Sequence, residues 1–162
     1  MTGVQTCALP ISKREGLARH IGVANFCISL IDEAIELCPE PLVCLQAEYH
    51  PYLDQTKLLA YCSKRGLAFV AYCPLGRGRL FDDTMLADIA QAKGRTVAQV
   101  ALRWLVQQNV ASIPRSSDPK RIAENFDIFN FTLTDDEMKK ISSLKRPDGR
   151  IANPVGRISG WD

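Results

Sequence analysis

Two arginines and two serines crowd one predicted helix start, a combination suited to gripping an anion. They lie in Ala111-Ser-Ile-Pro-Arg-Ser-Ser-Asp-Pro-Lys-Arg-Ile-Ala-Glu-Asn125. Ala111 to Pro114 read as a short buried strand, followed by a polar turn and a helix. Asp118 stands at a natural N-cap position and Pro119 at the first helical position, where a missing N–H costs nothing. The first turn of a helix leaves N–H groups unpaired and carries a partial positive charge, which favours an anion. Ser116, Ser117, Arg115 and Arg121 all fall within one turn of that end. Arg121 is the third helical residue and can fold back over the mouth. Guanidinium forks match the oxygens of a phosphate. The same composition also fits an ordinary capped surface helix with solvated arginines.

The elements that would position these residues alternate along the chain. His20 to Ala24 form a short apolar strand ending at Asn25. Ser29 and Asp32 have capping-box spacing, and Ile31, Ala34, Ile35 and Cys38 share one helical face, which Pro39 and Pro41 stop. Val43 to Glu48 form the next strand. Tyr49-His-Pro-Tyr52 is a turn, because proline pushes His50 out of the helical region. Asp54 is placed to cap a helix with Leu58, Leu59 and Cys62 inward and Gly66 as its stop. Leu67 to Cys73 are continuously apolar, as in a strand covered on both faces. The loop Pro74-Leu-Gly-Arg-Gly-Arg79 follows, then a helix from about Met85 to Lys93 closed by Gly94. Thr96 and Gln99 form a second capping box, with Val97, Val100, Ala101, Trp104 and Leu105 inward. In the last of these helices Ile122 and Phe126, with Phe129 after it, are expected to be buried. Thr134 and Glu137 cap one more helix, with Leu133 and Met138 placed as a hydrophobic staple. After Leu144 the tail is irregular and basic.

About four βα units result, with strands spaced for parallel crossovers. Asn25, Gln46, Tyr72 and the Arg115 turn each sit at or just after the carboxyl end of a strand. In a parallel α/β protein that edge is where ligands bind, in open sheets and closed barrels alike. The four strand ends together could hold one extended, phosphate-bearing ligand.

Composition narrows the alternatives. The chain has 162 residues, 20 basic against 18 acidic, and a net charge of +2, too balanced to propose nucleic acid or an anionic membrane as partner. No apolar run approaches the ~18 residues of a membrane span. The cysteines (Cys7, Cys27, Cys38, Cys44, Cys62 and Cys73) form no Cys-x-x-Cys pair. His20 and His50 stand at no zinc spacing, so no metal site is expected. Thiols scattered through apolar segments point to burial in a reducing cytoplasm. Residues 1–12 lack a basic start, a long apolar core and a clear period. They read as a non-native leader ahead of the domain at 13–162.

Four segments carry a family resemblance: Gly22-Val-Ala-Asn-Phe26, Gln46-Ala-Glu-Tyr-His-Pro-Tyr-Leu53, Ala71-Tyr-Cys-Pro-Leu-Gly76, and Ile113-Pro-Arg-Ser-Ser with Arg121, Glu124 and Asn125. Together, over Lys13 to Asp162, the chain resembles the carboxyl-terminal half of an aldo-keto reductase. Its ending, with Gly149-Arg150, Pro154 and Trp161-Asp162, looks most like the bacterial 2,5-diketogluconate reductases. The resemblance implies an α/β fold comprising about strands 5–8 of a (β/α)8 TIM barrel, with the first half missing. It implies NADPH as cofactor, a small-molecule carbonyl substrate, and reduction of aldehydes and ketones to alcohols. Asn25 and Gln46 would hold the nicotinamide carboxamide and Tyr72 would stack on its ring. Cys73, Pro74, Leu75 and Gly76 would pass along the pyrophosphate. Arg115, Ser116 and Arg121 would grip the 2′-phosphate, with Ser117 beside them, and Glu124 and Asn125 would meet the adenine. The family often has serine where Cys73 stands and lysine where Arg115 stands.

No residue from Lys13 to Asp162 matches the family's catalytic tetrad, so no catalytic residue is assigned. Four strands would leave two unpaired edges, so the isolated chain is expected to self-associate although the intact enzyme would be a monomer. Two other readings remain at this point. One is a non-catalytic NADPH-binding or interaction module on the same scaffold. The other is an α/β phosphate-binding domain unrelated to redox chemistry.

Overall fold

A computed structural model describes residues 2–152, with side chains from Ala8 onward. Pro154, Trp161 and Asp162, part of the family-like ending, lie outside the described residues, as does the Cys7 thiol. The elements are α1(Thr2–Arg14), β1(Ile21–Ala24), α2(Ile28–Leu37), β2(Leu42–Glu48), α3(Thr56–Arg65), β3(Ala68–Tyr72), α4(Thr84–Lys93), α5(Val97–Gln107), β4(Ala111–Ser112), α6(Pro119–Phe126) and α7(Asp135–Ser142). A short 3-10 turn covers Gly76–Gly78. The strands join in the order β1-β2-β3-β4. The chain divides into two compact units, one running to Ala47 and including Gln55–Val70, the other comprising Glu48–Asp54 and the chain from Ala71.

In the first unit β1 and β2 pair in parallel, with Ala24 opposite Gln46 and a register shift between Ile21 and Gly22. Ile31 and Ala34 of α2, Leu45 and Ala47 of β2, Leu58 and Cys62 of α3, and Phe69 of β3 are buried. The inward helical residues follow the 3.6-residue spacing read from the sequence. Gly66 ends α3 in the left-handed region with φ 69°, as expected of a glycine at that position.

Two caps differ from expectation. The cap of α2 is Cys27, without a side-chain bond, and Ser29 lies inside the helix. Asp32 instead accepts from Tyr61 and from Arg65 of α3. Asp54 accepts from Lys145 Nζ at 2.8 Å, and Gln55 precedes α3 with no side-chain cap. At α2 a phenol and a cation distant in sequence hold the carboxylate that the expected capping box would have used. The opening stretch, which showed no period, forms α1 with Pro10 inside it.

Gly22 is fixed by close approach. A Cβ there would lie 2.4 Å from Cys44 Sγ and 2.5 Å from the Cys44 carbonyl oxygen. The thiol can rotate away but the carbonyl cannot. Gly22→Ala should therefore cost about 1–3 kcal/mol of stability in urea titration, the scale of overpacking. A loss below about 0.5 kcal/mol would show that β1 and β2 can separate without penalty.

In the second unit β4 joins the end of β3 through Ile113 N–H and the Ala71 carbonyl at 3.1 Å. The core comprises Leu80, Leu86 and Ile89, then Val100, Ala101, Leu102, Trp104 and Leu105 of α5, with Leu133 and Ile141. Both expected capping boxes are present, Thr96 with Gln99 on α5 and Thr134 with Glu137 on α7. Gly94 closes α4 with φ 62°.

Two burial expectations are corrected. β4 covers only Ala111–Ser112, and Ala111 and Ile113 are exposed because this is the last strand in the sheet order. Ile122, Phe126 and Phe129 are 53%, 77% and 61% exposed. The side of α6 that meets α5 is polar: Thr96 donates to Glu124, and Gln99 donates to the Glu124 and Asp127 carbonyls. Ile122 and Phe126 share another face, and the Phe126 and Phe129 rings pack edge-on at 5.7 Å.

Candidate functional site

The turns after the strands have unusual backbones. Asn25, directly after β1, has φ 59°, and Cys73, directly after β3, has φ 50°. Asparagine enters the left-handed region readily. A cysteine there carries about 1–2 kcal/mol of strain, a cost that concentrates at functional sites. In the first unit, Asn25 N–H donates to the Gln46 carbonyl at 2.8 Å, so Asn25, just past β1, lies beside Gln46 within β2. Gln46 also lines an open cleft of ≈ 330 Å³ with Gly22, Ala24, Phe26 and Cys44.

In the second unit, Tyr72 is the last residue of β3 and is half-buried. Burial raises its phenol pKa, as does the Glu48 charge, while Arg150 and Arg77 pull it back. Cys73 is a half-buried free thiol. Pro74 and Gly76 are buried and Leu75 half-buried. Gly76 N–H bonds the Cys73 carbonyl at 2.9 Å and closes the turn. Gly76 needs its φ of 56° there, with Leu80 packed beneath it.

The α6 turn also belongs to the second unit. Asp118 caps Lys120 N–H at 2.8 Å, and Pro119 holds the first helical position. Ser116 Oγ accepts from Asp118 N–H at 3.1 Å, which orders the turn. Arg115 and Ser117 are exposed. The Arg121 side chain is 76% exposed, and its Nε stands 3.8 Å from Asp118 Oδ2. A surface pair of that length contributes little and gives way readily to a stronger anion. Glu124 is committed to Thr96 Oγ1 at 2.6 Å, and Asn125 is half-buried. The structure thus gathers Asn25 with Gln46 in one unit. In the other it gathers Ser116, Asp118 and Arg121 on one turn.

One polar cluster escaped the sequence reading. Glu48, at the end of β2, is fully buried and accepts from His50 Nε2 at 3.0 Å. It also accepts from Ile151 N–H at 2.6 Å and from Ala152 N–H at 3.0 Å. Arg150 Nη1 lies 3.8 Å away. Burial works against the charged form, but the His50 bond and the two amides outweigh it and hold the carboxyl below its ordinary range. His50 Nδ1 is buried with no hydrogen-bond partner among the described residues. The signal available beforehand was an acidic residue closing an otherwise apolar strand, directly before a His-Pro turn. Among the described residues no group of three or more His, Cys, Asp or Glu could hold a metal, and no helix is long and apolar enough to cross a membrane.

Comparisons with known proteins agree on a family. A model described as the aldo/keto reductase family matches residues 5–146. "Aldo-keto reductase family 1 member A1" of Xenopus tropicalis is 42% identical over 157 residues, 91% of this chain and 48% of that protein. The chain spans about half the length of the curated relatives it matches. A crystal structure of a putative 2,5-diketo-D-gluconic acid reductase B superposes with a TM-score of 0.95 at 41% identity, covering 100% of this chain and 58% of that one. An NADPH complex of a Gox0644 variant gives a TM-score of 0.88 at 34% identity, covering 96% of this chain and 57% of that one.

Proposed function

The chain belongs to the aldo/keto reductase family, and on that premise we propose that it forms the NAD(P)H-holding part of an enzyme that reduces aldehydes and ketones to alcohols. In this reading its four βα units are the second half of a (β/α)8 barrel. Bound there, the nicotinamide would supply the hydride.

The roles follow from chemistry at each strand end. Asn25 and Gln46 both donate and accept, as a carboxamide partner must. Tyr72 offers a flat ring to the nicotinamide face. The turn from Cys73 through Pro74 and Leu75 to Gly76, with its left-handed backbone at both ends, would pass along the pyrophosphate. Arg115, Ser116 and Arg121, with Ser117 beside them, would grip the 2′-phosphate at the start of α6. Glu124 already accepts from Thr96, so the adenine contact falls mainly to Asn125. The proton that completes carbonyl reduction must come from a positioned acid, and this reading gives that role to none of the described residues. The free thiols at Cys27, Cys38, Cys44, Cys62 and Cys73 fit a reducing compartment such as the cytoplasm.

The observation that carries the proposal is Arg121, solvent-facing and only weakly paired at the first turn of a capped helix. Calorimetric titration of the full chain with NADPH tests it. Saturable binding of one NADPH per chain is expected, with NADH weaker. Absence of saturable binding at millimolar NADPH contradicts it.

A further inference from the structure

The segment after α7, irregular by sequence, is stitched onto the turn that follows β2. Lys145 Nζ donates to Asp54 Oδ2 at 2.8 Å. Arg146 N–H donates to the Tyr52 carbonyl at 3.0 Å, and its guanidinium lies 3.9 Å over the Tyr52 ring. Gly149 approaches the same carbonyl so closely that a Cβ would sit 1.8 Å from its oxygen. Ile151 and Ala152 then donate their amides to Glu48.

A buried carboxylate is stable only while charge and hydrogen bonds compensate its lost hydration. Part of that compensation for Glu48 comes from His50, two residues away. Two amides and the Arg150 cation add to it from the tail, about a hundred residues on. Undocking the tail would strip these three partners from Glu48. Tyr49 N–H, next in the chain to Glu48, donates to the Tyr72 carbonyl at 3.3 Å, so the clasp closes beside Tyr72, and the docked Arg150 acts on its phenol.

We propose that Glu48 is a positioning residue: its carboxylate clasps the Arg150–Ala152 segment beside the end of β3 and so sets the charge environment of Tyr72. The importance of Tyr72 rests on the cofactor reading above; the clasp itself does not. His50, Arg150 and the two tail amides face the carboxylate, and its charge is felt at Tyr72. Because the folded protein holds Glu48 below its ordinary value of 4.5, the clasp contributes stability above about pH 4.5 and loses it as pH falls through the lower folded value.

The test uses the full chain, with amide exchange and the Tyr72 phenol titration followed by NMR, Tyr72→Phe giving the assignment. In Glu48→Gln the Ile151 and Ala152 amides should exchange about tenfold to a hundredfold faster, the scale of losing hydrogen bonds to a charged acceptor. The Leu102 and Leu105 amides of α5 should not change. The Tyr72 phenol should titrate lower, because the lost Glu48 charge outweighs the Arg150 cation that leaves with the tail, a shift that lost packing alone does not produce. Unchanged exchange at Ile151 and Ala152, or an unmoved Tyr72, overturns the proposal. If Glu48→Gln unfolds, Arg150→Met decides: it keeps the carboxylate and removes the cation, so Tyr72 should titrate higher, and no change overturns the proposal. Both expected shifts in a chain that binds no NADPH would uphold the clasp and remove the cofactor reading.

Discussion

Arg121→Ala should weaken NADPH binding by about tenfold to a hundredfold while leaving NADH within about twofold. The two cofactors differ only in the 2′-phosphate, so the difference isolates the group that Arg121 is proposed to hold. Each hydrogen bond from a guanidinium to a phosphate contributes about 1.5–3 kcal/mol, which sets the size of the effect. The residue is available for that role: its side chain is 76% exposed and its partner Asp118 stands 3.8 Å away, beyond hydrogen-bond range. Loss of the side chain should leave the fold intact, since Asp118 caps α6 through Lys120 N–H without it. Salt should sharpen the result, because raising ionic strength screens an exposed arginine and weakens NADPH more than NADH. Equal loss for both cofactors would remove the phosphate role and leave Arg121 as a solvated surface residue.

Trp104→Ala should destabilise the chain by about 3–5 kcal/mol, the range for truncating a large buried aromatic. The side chain is 2% exposed. Its ring lies 5.1 Å from that of Tyr49, tilted by 44°. Its Nε1 donates to Ser142 Oγ of α7 at 3.1 Å. Tyr49 in turn donates to Gln108 Oε1, and Gln108 Nε2 donates to the Trp104 carbonyl. One indole thus joins α5, α7 and the turn after β2. Domains are stable by only about 5–15 kcal/mol, so the variant should sit near its unfolding threshold. Urea titration followed by far-UV circular dichroism checks this. Trp104→Phe should recover part of the loss, and a cost below about 1 kcal/mol for the alanine variant would mean the indole is not central to the core.

The helix ends were legible where the stop or start is a local backbone device. Gly66 and Gly94 supply left-handed geometry that other residues resist. Thr96 and Thr134 answer Gln99 and Glu137 within a single turn. The same logic failed at Ser29 because a competing partner lay far away, Tyr61 and Arg65 holding Asp32, and at α3 the cap position falls one residue on, at Gln55. Periodicity likewise identifies an apolar face without saying whether anything covers it. Ile122 and Phe126 share a face as expected, yet α6 turns Glu124, not that face, toward α5. The neighbourhood of Asn25 and Gln46 was legible because adjacent parallel strands run their carboxyl ends the same way. The left-handed backbone at Asn25 and Cys73 was not, since neither residue is a glycine that would advertise it. The Glu48 clasp could not be read, because Arg150, Ile151 and Ala152 come from a segment with no pattern of its own.

The central claim is that residues at the strand ends hold one nicotinamide dinucleotide. Heteronuclear NMR of the labelled full chain, titrated with NADPH, tests it most directly. The account predicts saturable shifts with one common affinity at the Asn25 and Gln46 side-chain amides, the Tyr72 ring and the Arg121 guanidinium. Shifts confined to Arg115 and Arg121, with Asn25, Gln46 and Tyr72 unmoved, would contradict it and leave only a phosphate site at the start of α6.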